Sequence, residues 1–138
     1  HRVGLYDGIL IKENHIATAG GVTPALEHAR AIVSAPDVAA RAVAPFIQIE
    51  VETLTQLQEA LSAGAQMILL DNMTLEQIAQ AVKINVEQFA KQAILEVSGN
   101  VSLDNIRGYA ELGVDRISIG GLTKHVRGID FSMRVNAL

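Results

Sequence analysis

The chain has 138 residues, of which 49% are apolar and 19% charged, and a formal net charge of −4. This length suits one domain with a buried core, and the apolar share excludes wholesale disorder. The net negative charge argues against nucleic acid or an acidic membrane surface as the main partner. The absence of cysteine excludes a disulfide framework and a catalytic thiol. No apolar run approaches about 18 residues and no signal peptide opens the chain, so we expect a cytoplasmic protein without a membrane span.

Short β-branched runs alternate with amphipathic segments along the chain. A first strand is predicted at 9–12, followed by a turn at Gly20-Gly21. Thr23-Pro24 predicts a helix start, with Thr as the cap and Pro at the first helical position, and the helix covers 25–34. The segment 35–45 contains prolines near both ends and remains open between a helix extension and a loop.

The rest of the chain repeats the alternation of strand and helix. Two capping boxes, Thr53-x-x-Gln56 and Thr74-x-x-Gln77, predict helix starts, and Ser102 is the predicted cap of a later helix that ends at Gly113. Such alternation predicts βα units and a parallel sheet. Strands are predicted at 46–51, 67–70, 93–97 and 116–119, and helices at 54–64, 75–89 and 103–112.

Each of the five predicted strands ends in a charged residue or in a small residue that exposes the backbone. Ligands of α/β barrels and doubly wound folds bind at this carboxyl edge of the sheet. An open or closed barrel explains the pattern best, because it directs all five ends toward one cavity. The residues at the ends are Lys12, Glu50, Asp71-Asn72, Ser98-Gly99-Asn100 and Gly120-Gly121.

Each of these residues, taken singly, also has a purely structural interpretation. Lys12 could be a solvated surface charge, and Asp71 could only cap the helix that begins near Thr74. Glu50 and Glu52 share a strand face by alternation, and either could pair with a surface base. Five such endings in succession nevertheless favour a shared site.

The set combines a cation, two carboxylates and two glycine-bearing loops. The loops at 98–100 and 119–121 are suited to binding phosphate through backbone N–H groups. Mg²⁺ binds one or two carboxylates together with phosphate oxygens, so Glu50 and Asp71 could serve it. The histidines lack zinc-binding spacing. His1 and His15 are predicted near the site, His28 within a helix in a structural role, and His125 in a loop.

Several long motifs together resemble the C-terminal domain of the quinolinate phosphoribosyltransferases, and the resemblance covers essentially the whole chain. It implies an open α/β barrel and the transfer of a phosphoribosyl group from phosphoribosyl pyrophosphate to quinolinate with Mg²⁺, yielding nicotinate mononucleotide, pyrophosphate and CO₂ for NAD synthesis. The motifs are HRVGLYDGILIKENHI, IEVET, MILLDNM, LEVSGNVSLDNI, ELGVDRISIGGLTKH and DFSMR.

The resemblance also implies roles for single residues. His1 and Arg2 match a quinolinate-binding motif, and Lys12 matches a lysine that contacts a substrate carboxylate. Glu50 and Asp71 match acids at the ribose and at the metal-pyrophosphate. The predicted catalytic groups are Lys12, Glu50 and Asp71. The expected phosphate-binding residues are Ser98, Gly99, Asn100, Ile119, Gly120 and Gly121.

The chain departs from the family pattern at its start, where it begins at His1-Arg2 without methionine. We interpret 1–138 as a C-terminal α/β-barrel catalytic domain whose N-terminal domain, with further basic residues, is missing. The chain alone is therefore expected to be inactive, whereas the full-length family enzyme is expected to form a homodimer or a hexamer. Two alternatives remain: a related phosphoribosyltransferase-like protein with another acceptor, and a non-catalytic phosphosugar-binding domain.

Overall fold

The computed structural model describes residues 7–39, 45–124 and 128–136, so the predictions for His1, Arg2 and His125 lie outside the described residues. Five strands alternate with helices. The strands are β1 (Gly8–Ile11), β2 (Phe46–Val51), β3 (Met67–Asp71), β4 (Ile94–Ser98) and β5 (Arg116–Ile117). The helices are α1 (Glu13–Ala19), α2 (Val22–Val33), α3 (Pro36–Ala39), α4 (Leu54–Ser62), α5 (Leu75–Phe89), α6 (Ile106–Ala110) and α7 (Gly121–Lys124).

The five strands form one parallel sheet in the sequential order β1-β2-β3-β4-β5. A doubly wound sheet reverses its strand order at a switch point, whereas the wall of an α/β barrel keeps the strands in chain order. Within the described residues β1 pairs with β2 alone and β5 with β4 alone, so the sheet is open. The predicted open, parallel α/β barrel is therefore confirmed.

Alternate residues of the strands divide the sheet into two unlike faces. One face carries the aliphatic rows of the core, in which Ile49 pairs with Ile68 and Leu70 with Val97. Helices cover this face: Leu26, Leu57, Leu61 and Ile78 from α2, α4 and α5 are all at most 2% exposed. The other face is the inner face, and it carries Gln48, Glu50, Leu69, Asp71, Glu96 and Ser98.

Local sequence signals set the starts of the two best-predicted helices. The Thr53 side chain accepts the Gln56 N–H at 3.2 Å, and the Gln56 side chain accepts the Thr53 N–H at 3.2 Å. The Thr74 and Gln77 pair repeats this arrangement at α5. Both predicted capping boxes are confirmed, because each depends only on residues three apart. No helix of the described residues is long and apolar enough to cross a bilayer.

Two predicted helix caps, Thr23 and Ser102, were wrong, because both residues form hydrogen bonds with other side chains. The Thr23 N–H and hydroxyl both donate to Glu59 Oε1 of α4, at 2.9 and 3.0 Å, and α2 is capped by Gly21 instead. The predicted helix at 103–112 is shortened to α6, whose N-cap is Asn105 rather than Ser102. Asn105 Oδ1 accepts the Ser102 N–H at 2.8 Å, which closes a turn where the helix was expected.

Further boundaries differ from the sequence prediction. The first strand ends at Ile11, and Lys12 becomes the N-cap of α1, a helix that the sequence analysis did not predict. The fifth strand was predicted to reach residue 119 but ends at Ile117, which pairs with Val97 of β4. Part of the uncertain segment 35–45 forms α3, and positions 40–44 lie outside the described residues.

Candidate active site

An ion pair between two neighbouring strands forms the centre of the candidate site. Lys12 Nζ lies 3.7 Å from Glu50 Oε2, and the side chain of Glu50 is 9% exposed whereas that of Lys12 is 50% exposed. Lys12 follows β1, and its backbone N–H donates to His15 Nδ1 at 2.9 Å. Glu50 lies near the end of β2 on the inner face. The structure therefore brings two of the predicted catalytic residues together.

Glu50 experiences a balance of opposing electrostatic effects. Burial raises the pKa of its carboxyl above the ordinary value, and the negative charges of Asp71 and Glu13 raise it further, while Lys12 acts in the opposite direction. The net pKa shift of Glu50 is upward. Asp71 is thus close enough to Glu50 to share its electrostatic environment. Glu13 joins the same group, although the sequence analysis did not select it, because it belongs to the unpredicted helix α1.

Asp71 is bound to the residue that follows it. Asn72 Nδ2 donates to Asp71 Oδ2 at 2.6 Å, and the Asn72 backbone N–H donates to Ser98 O at 3.1 Å. Asp71 also pairs with Ser98 across β3 and β4. Asp71, one of the two acids predicted at the ribose and the metal-pyrophosphate, therefore adjoins the loop predicted to bind phosphate.

The loop at 98–100 has a backbone that requires glycine at its centre. Gly99 has a φ of +90°, and a Cβ on it would lie 2.3 Å from Asn72 Oδ1. Asn100 follows with a φ of +51°, and Asn105 Nδ2 donates to Asn100 O at 3.0 Å. These contacts hold Ser98, Gly99 and Asn100 in one defined conformation beside Asp71.

The second predicted phosphate loop leads into the short helix α7. Ile119 and Gly120 precede this helix, and Gly120 O accepts the Lys124 N–H at 3.0 Å. The Lys124 side chain folds back, so that its Nζ would lie 3.9 Å from a Cβ placed on Gly120. A cation therefore lies beside the loop of Ile119, Gly120 and Gly121, and the sequence analysis assigned no role to Lys124.

A polar network on the inner face was missed by the sequence analysis. Glu96 of β4 is 9% exposed and accepts hydrogen bonds from Gln48 Nε2 at 3.0 Å and from Ser118 Oγ at 2.5 Å. The network joins β2 and β4 to the end of β5. Glu96 lies inside its strand and not at the strand end, but the alternation in Leu95, Glu96 and Val97 places it opposite the aliphatic face.

The histidines divide between the site and the surface. His15 lies in α1 beside Lys12, as expected, whereas His28 is exposed on α2 and makes no part of the core. The expected position of His28 within a helix is confirmed.

The carboxylates of Glu50 and Asp71 are of the type that Mg²⁺ binds. The described residues contain no group of three His, Cys, Asp or Glu side chains that could enclose a metal ion alone. Glu50 and Asp71 would hold such an ion together with phosphate oxygens and water, since Mg²⁺ binds through one or two carboxylates.

Comparisons with curated proteins find relatives over nearly the whole chain. A curated relative from Methanocaldococcus jannaschii, described as a probable nicotinate-nucleotide pyrophosphorylase [carboxylating], is 40% identical over 98% of this chain. A relative of the same description from Bacillus subtilis is 38% identical, also over 98% of the chain. The chain spans 46% of the first relative and 43% of the second.

Solved structures and a family model extend the comparison. The structure of the nicotinate-nucleotide pyrophosphorylase from Francisella tularensis superposes with a TM-score of 0.80 at 40% identity, covering 94% of this chain and 42% of that one. The family model described as quinolinate phosphoribosyl transferase, C-terminal domain, matches residues 1–134. The chain therefore belongs to the family of the C-terminal domain of quinolinate phosphoribosyl transferase.

Proposed function

We propose that this chain is the catalytic α/β-barrel domain of an enzyme that transfers the 5-phosphoribosyl group of phosphoribosyl pyrophosphate to quinolinate. The products are nicotinate mononucleotide, pyrophosphate and CO₂, and the reaction serves NAD synthesis. One observation carries the proposal: the Lys12–Glu50 pair lies at the same sheet edge as Asp71 and the loop at 98–100. The family match supports the choice of substrates.

Charge complementarity supports quinolinate as the acceptor. Quinolinate is a dianion, and Lys12 is half exposed while its partner Glu50 is nearly buried. Lys12 can therefore turn its ammonium group from Glu50 toward a substrate carboxylate and form a charge-assisted hydrogen bond. His1 and Arg2 are proposed to add positive charge and donors, as the resemblance implies.

The carboxylates support the transfer step. The bond between C1′ of the ribose and the pyrophosphate oxygen breaks, the pyrophosphate departs with the electron pair, and positive charge develops on the ribose. Glu50 and Asp71 can stabilise that charge electrostatically. The pyridine nitrogen then forms a bond to C1′, and the adjacent carboxylate leaves as CO₂ while a proton takes its place. This step needs no covalent enzyme intermediate.

The two loops are proposed to bind the phosphates. Ser98, Gly99 and Asn100 lie beside Asp71, and Ile119, Gly120 and Gly121 lie beside the Lys124 ammonium group. Mg²⁺, held between Glu50 or Asp71 and phosphate oxygens, would neutralise the charge of the leaving pyrophosphate. We further propose a homodimer or hexamer in the cytoplasm as the working form.

The experiment that tests this function measures the release of CO₂ from carboxyl-labelled quinolinate with phosphoribosyl pyrophosphate and Mg²⁺. It compares the 138-residue chain with the same chain joined to the N-terminal part of the Bacillus subtilis relative. We expect turnover in the joined protein and little or none in the chain alone. No CO₂ from a folded joined protein that still binds phosphoribosyl pyrophosphate would favour a different acceptor. If the folded joined protein neither releases CO₂ nor binds phosphoribosyl pyrophosphate, the result would overturn the proposal of a phosphoribosyltransferase.

Variants sharpen the assignment of the acids. Glu50→Gln and Asp71→Asn should lower kcat more than they raise the KM for quinolinate, because their effect belongs to the transition state. Glu52→Gln is the matched control, since Glu52 follows β2 and is exposed, whereas Glu50 is 8% exposed. An equal effect of the control, or a loss confined to quinolinate KM, would contradict the roles given to Glu50 and Asp71.

A further inference from the structure

Asn72 connects two parts of the candidate site but takes no direct part in the proposed transfer. It follows Asp71 at the end of β3 and has a φ of +53°, a left-handed conformation that non-glycine residues adopt at a cost. Asparagine tolerates this conformation better than most residues. A strained conformation held by several contacts at a functional edge indicates that the placement of its side chain matters.

The polar atoms of Asn72 reach both neighbours. Its Nδ2 donates to Asp71 Oδ2 at 2.6 Å, and its backbone N–H donates to Ser98 O at 3.1 Å. Its Oδ1 lies 3.5 Å from Asn100 Nδ2, which donates to it. One residue thus fixes the direction of the Asp71 carboxylate and bonds to both ends of the loop at 98–100.

The loop is shaped to admit this side chain. A Cβ on Gly99 would lie 2.3 Å from Asn72 Oδ1 and 2.8 Å from Asn72 Cγ. Any larger residue at 99 would displace the Asn72 amide from its place. Gly99 is therefore required for two reasons: its φ is positive, and the absence of a side chain leaves room for Asn72.

We propose that Asn72 is a positioning residue that holds the Asp71 carboxylate in register with the loop at 98–100. The inference depends on the proposed phosphoribosyl transfer, in which Asp71 faces the ribose and the loop binds a phosphate. By fixing one to the other, Asn72 sets the distance between the charge on the ribose and the bound phosphate. Its loss misplaces a catalytic carboxylate while leaving the acceptor pocket at Lys12 unchanged.

The test uses the form of the protein that releases CO₂ from quinolinate and compares two variants of Asn72. Asn72→Asp keeps the shape of the side chain and its tolerance of positive φ, but it replaces the Nδ2 donor with a carboxylate oxygen that repels Asp71. Asn72→Gly relieves the backbone conformation and removes the whole side chain. We expect both to fold and to lower kcat at least about tenfold, with the KM for quinolinate changed less than about twofold. Wild-type kcat in Asn72→Gly, which removes the whole side chain without adding a charge, would overturn the inference.

Ala90→Gly is the matched control for the backbone effect. Ala90 has a φ of +51° at the end of α5, outside the candidate site, and its side chain is exposed. Glycine there relieves the same kind of conformation without removing a polar group, so kcat and both KM values should remain those of the wild type. A fall in kcat equal to that of Asn72→Gly would assign the effect to the backbone and overturn the inference.

A measurement without turnover separates this inference from the proposed function. Amide hydrogen exchange of residues 98–105 should become at least about fivefold faster in Asn72→Gly, while exchange in α4 remains unchanged. Absence of CO₂ release by the wild type would refute the proposed function alone, and the exchange result would still decide whether Asn72 holds the loop. Unchanged exchange at 98–105 together with unchanged kcat would refute the role of Asn72.

Discussion

The contact between α5 and β4 provides a stability prediction whose magnitude follows directly from the structure. Asn85 is 2% exposed near the end of α5. Its Nδ2 donates to Ala93 O at 2.8 Å, and its Oδ1 accepts the Ala93 N–H at 3.2 Å. Ala93 is itself 2% exposed and directly precedes β4, which carries Glu96 and Ser98. One side chain thus satisfies both backbone groups of a buried residue.

The replacement Asn85→Ala leaves the N–H and the C=O of Ala93 without these partners. A buried polar group that loses its partner costs about 1–3 kcal/mol, so the two together predict a loss of about 2–6 kcal/mol. A domain of this kind has a total free energy of unfolding of about 5–15 kcal/mol. The loss is therefore a large fraction of the whole, and even its lower limit corresponds to a fall in Tm of about 6–10 °C.

The assay is urea unfolding followed by circular dichroism, with Asn14→Ala as the matched control. Asn14 is exposed, and its Nδ2 bonds to the neighbouring Glu13 Oε1 at 3.0 Å, so its replacement should change the free energy of unfolding by less than about 0.5 kcal/mol. A loss below about 1 kcal/mol in Asn85→Ala, with an unchanged m-value, would refute the reasoning. It would mean that water satisfies Ala93 in the variant.

Three further predictions concern charged groups. Because burial raises the pKa of Glu50, ionisation of this carboxyl destabilises the fold as the pH rises through that pKa. Glu50→Gln should therefore have a higher Tm than the wild type at pH 7 and lose this advantage in acid. A lower Tm of the variant at pH 7 would contradict the prediction. Burial also raises the pKa of Asp115, but the Leu95 N–H and Lys91 outweigh it and hold the pKa below its ordinary value. The ionised Asp115 stabilises the fold above the ordinary aspartate pKa, and this contribution disappears as the pH falls through the lowered pKa of the folded state. The difference in Tm between the wild type and Asp115→Asn should therefore shrink in acid. A difference in Tm that stays constant with pH would contradict this prediction. Ser118→Ala removes the 2.5 Å hydrogen bond to a buried carboxylate and should cost about 1.5–3 kcal/mol in urea unfolding, whereas wild-type stability would show that this bond contributes nothing.

Several predictions that depended only on neighbours in sequence were confirmed. The capping boxes at Thr53 and Thr74 and the strand at 46–51 need only a few adjacent residues, and the structure contains all three. The strand ends also located Lys12, Glu50 and Asp71 at one edge, because parallel strands share the direction of the chain.

The errors arose where a distant residue decided the outcome. Thr23 was predicted to cap α2, but its hydroxyl and N–H bond to Glu59, 36 residues later. Glu96 was overlooked because its two partners lie on other strands or loops, and nothing in its immediate neighbours indicates them. Asn72 is a similar case: its φ and its fit against Gly99 depend on the spacing of β3 and β4, which only the folded sheet fixes.

The unlike faces of the sheet have a consequence for redesigning the protein. A parallel sheet normally packs apolar side chains on both faces, but here neighbouring positions of β2 and β4 alternate between the helix-covered core and the polar inner face. Altering the preference for a ligand therefore requires changes at every second position only, such as 48, 50 and 96. The aliphatic positions between them can be left intact, so variants of the inner face keep the helix-covered core, and a change at 96 must also provide partners for Gln48 and Ser118.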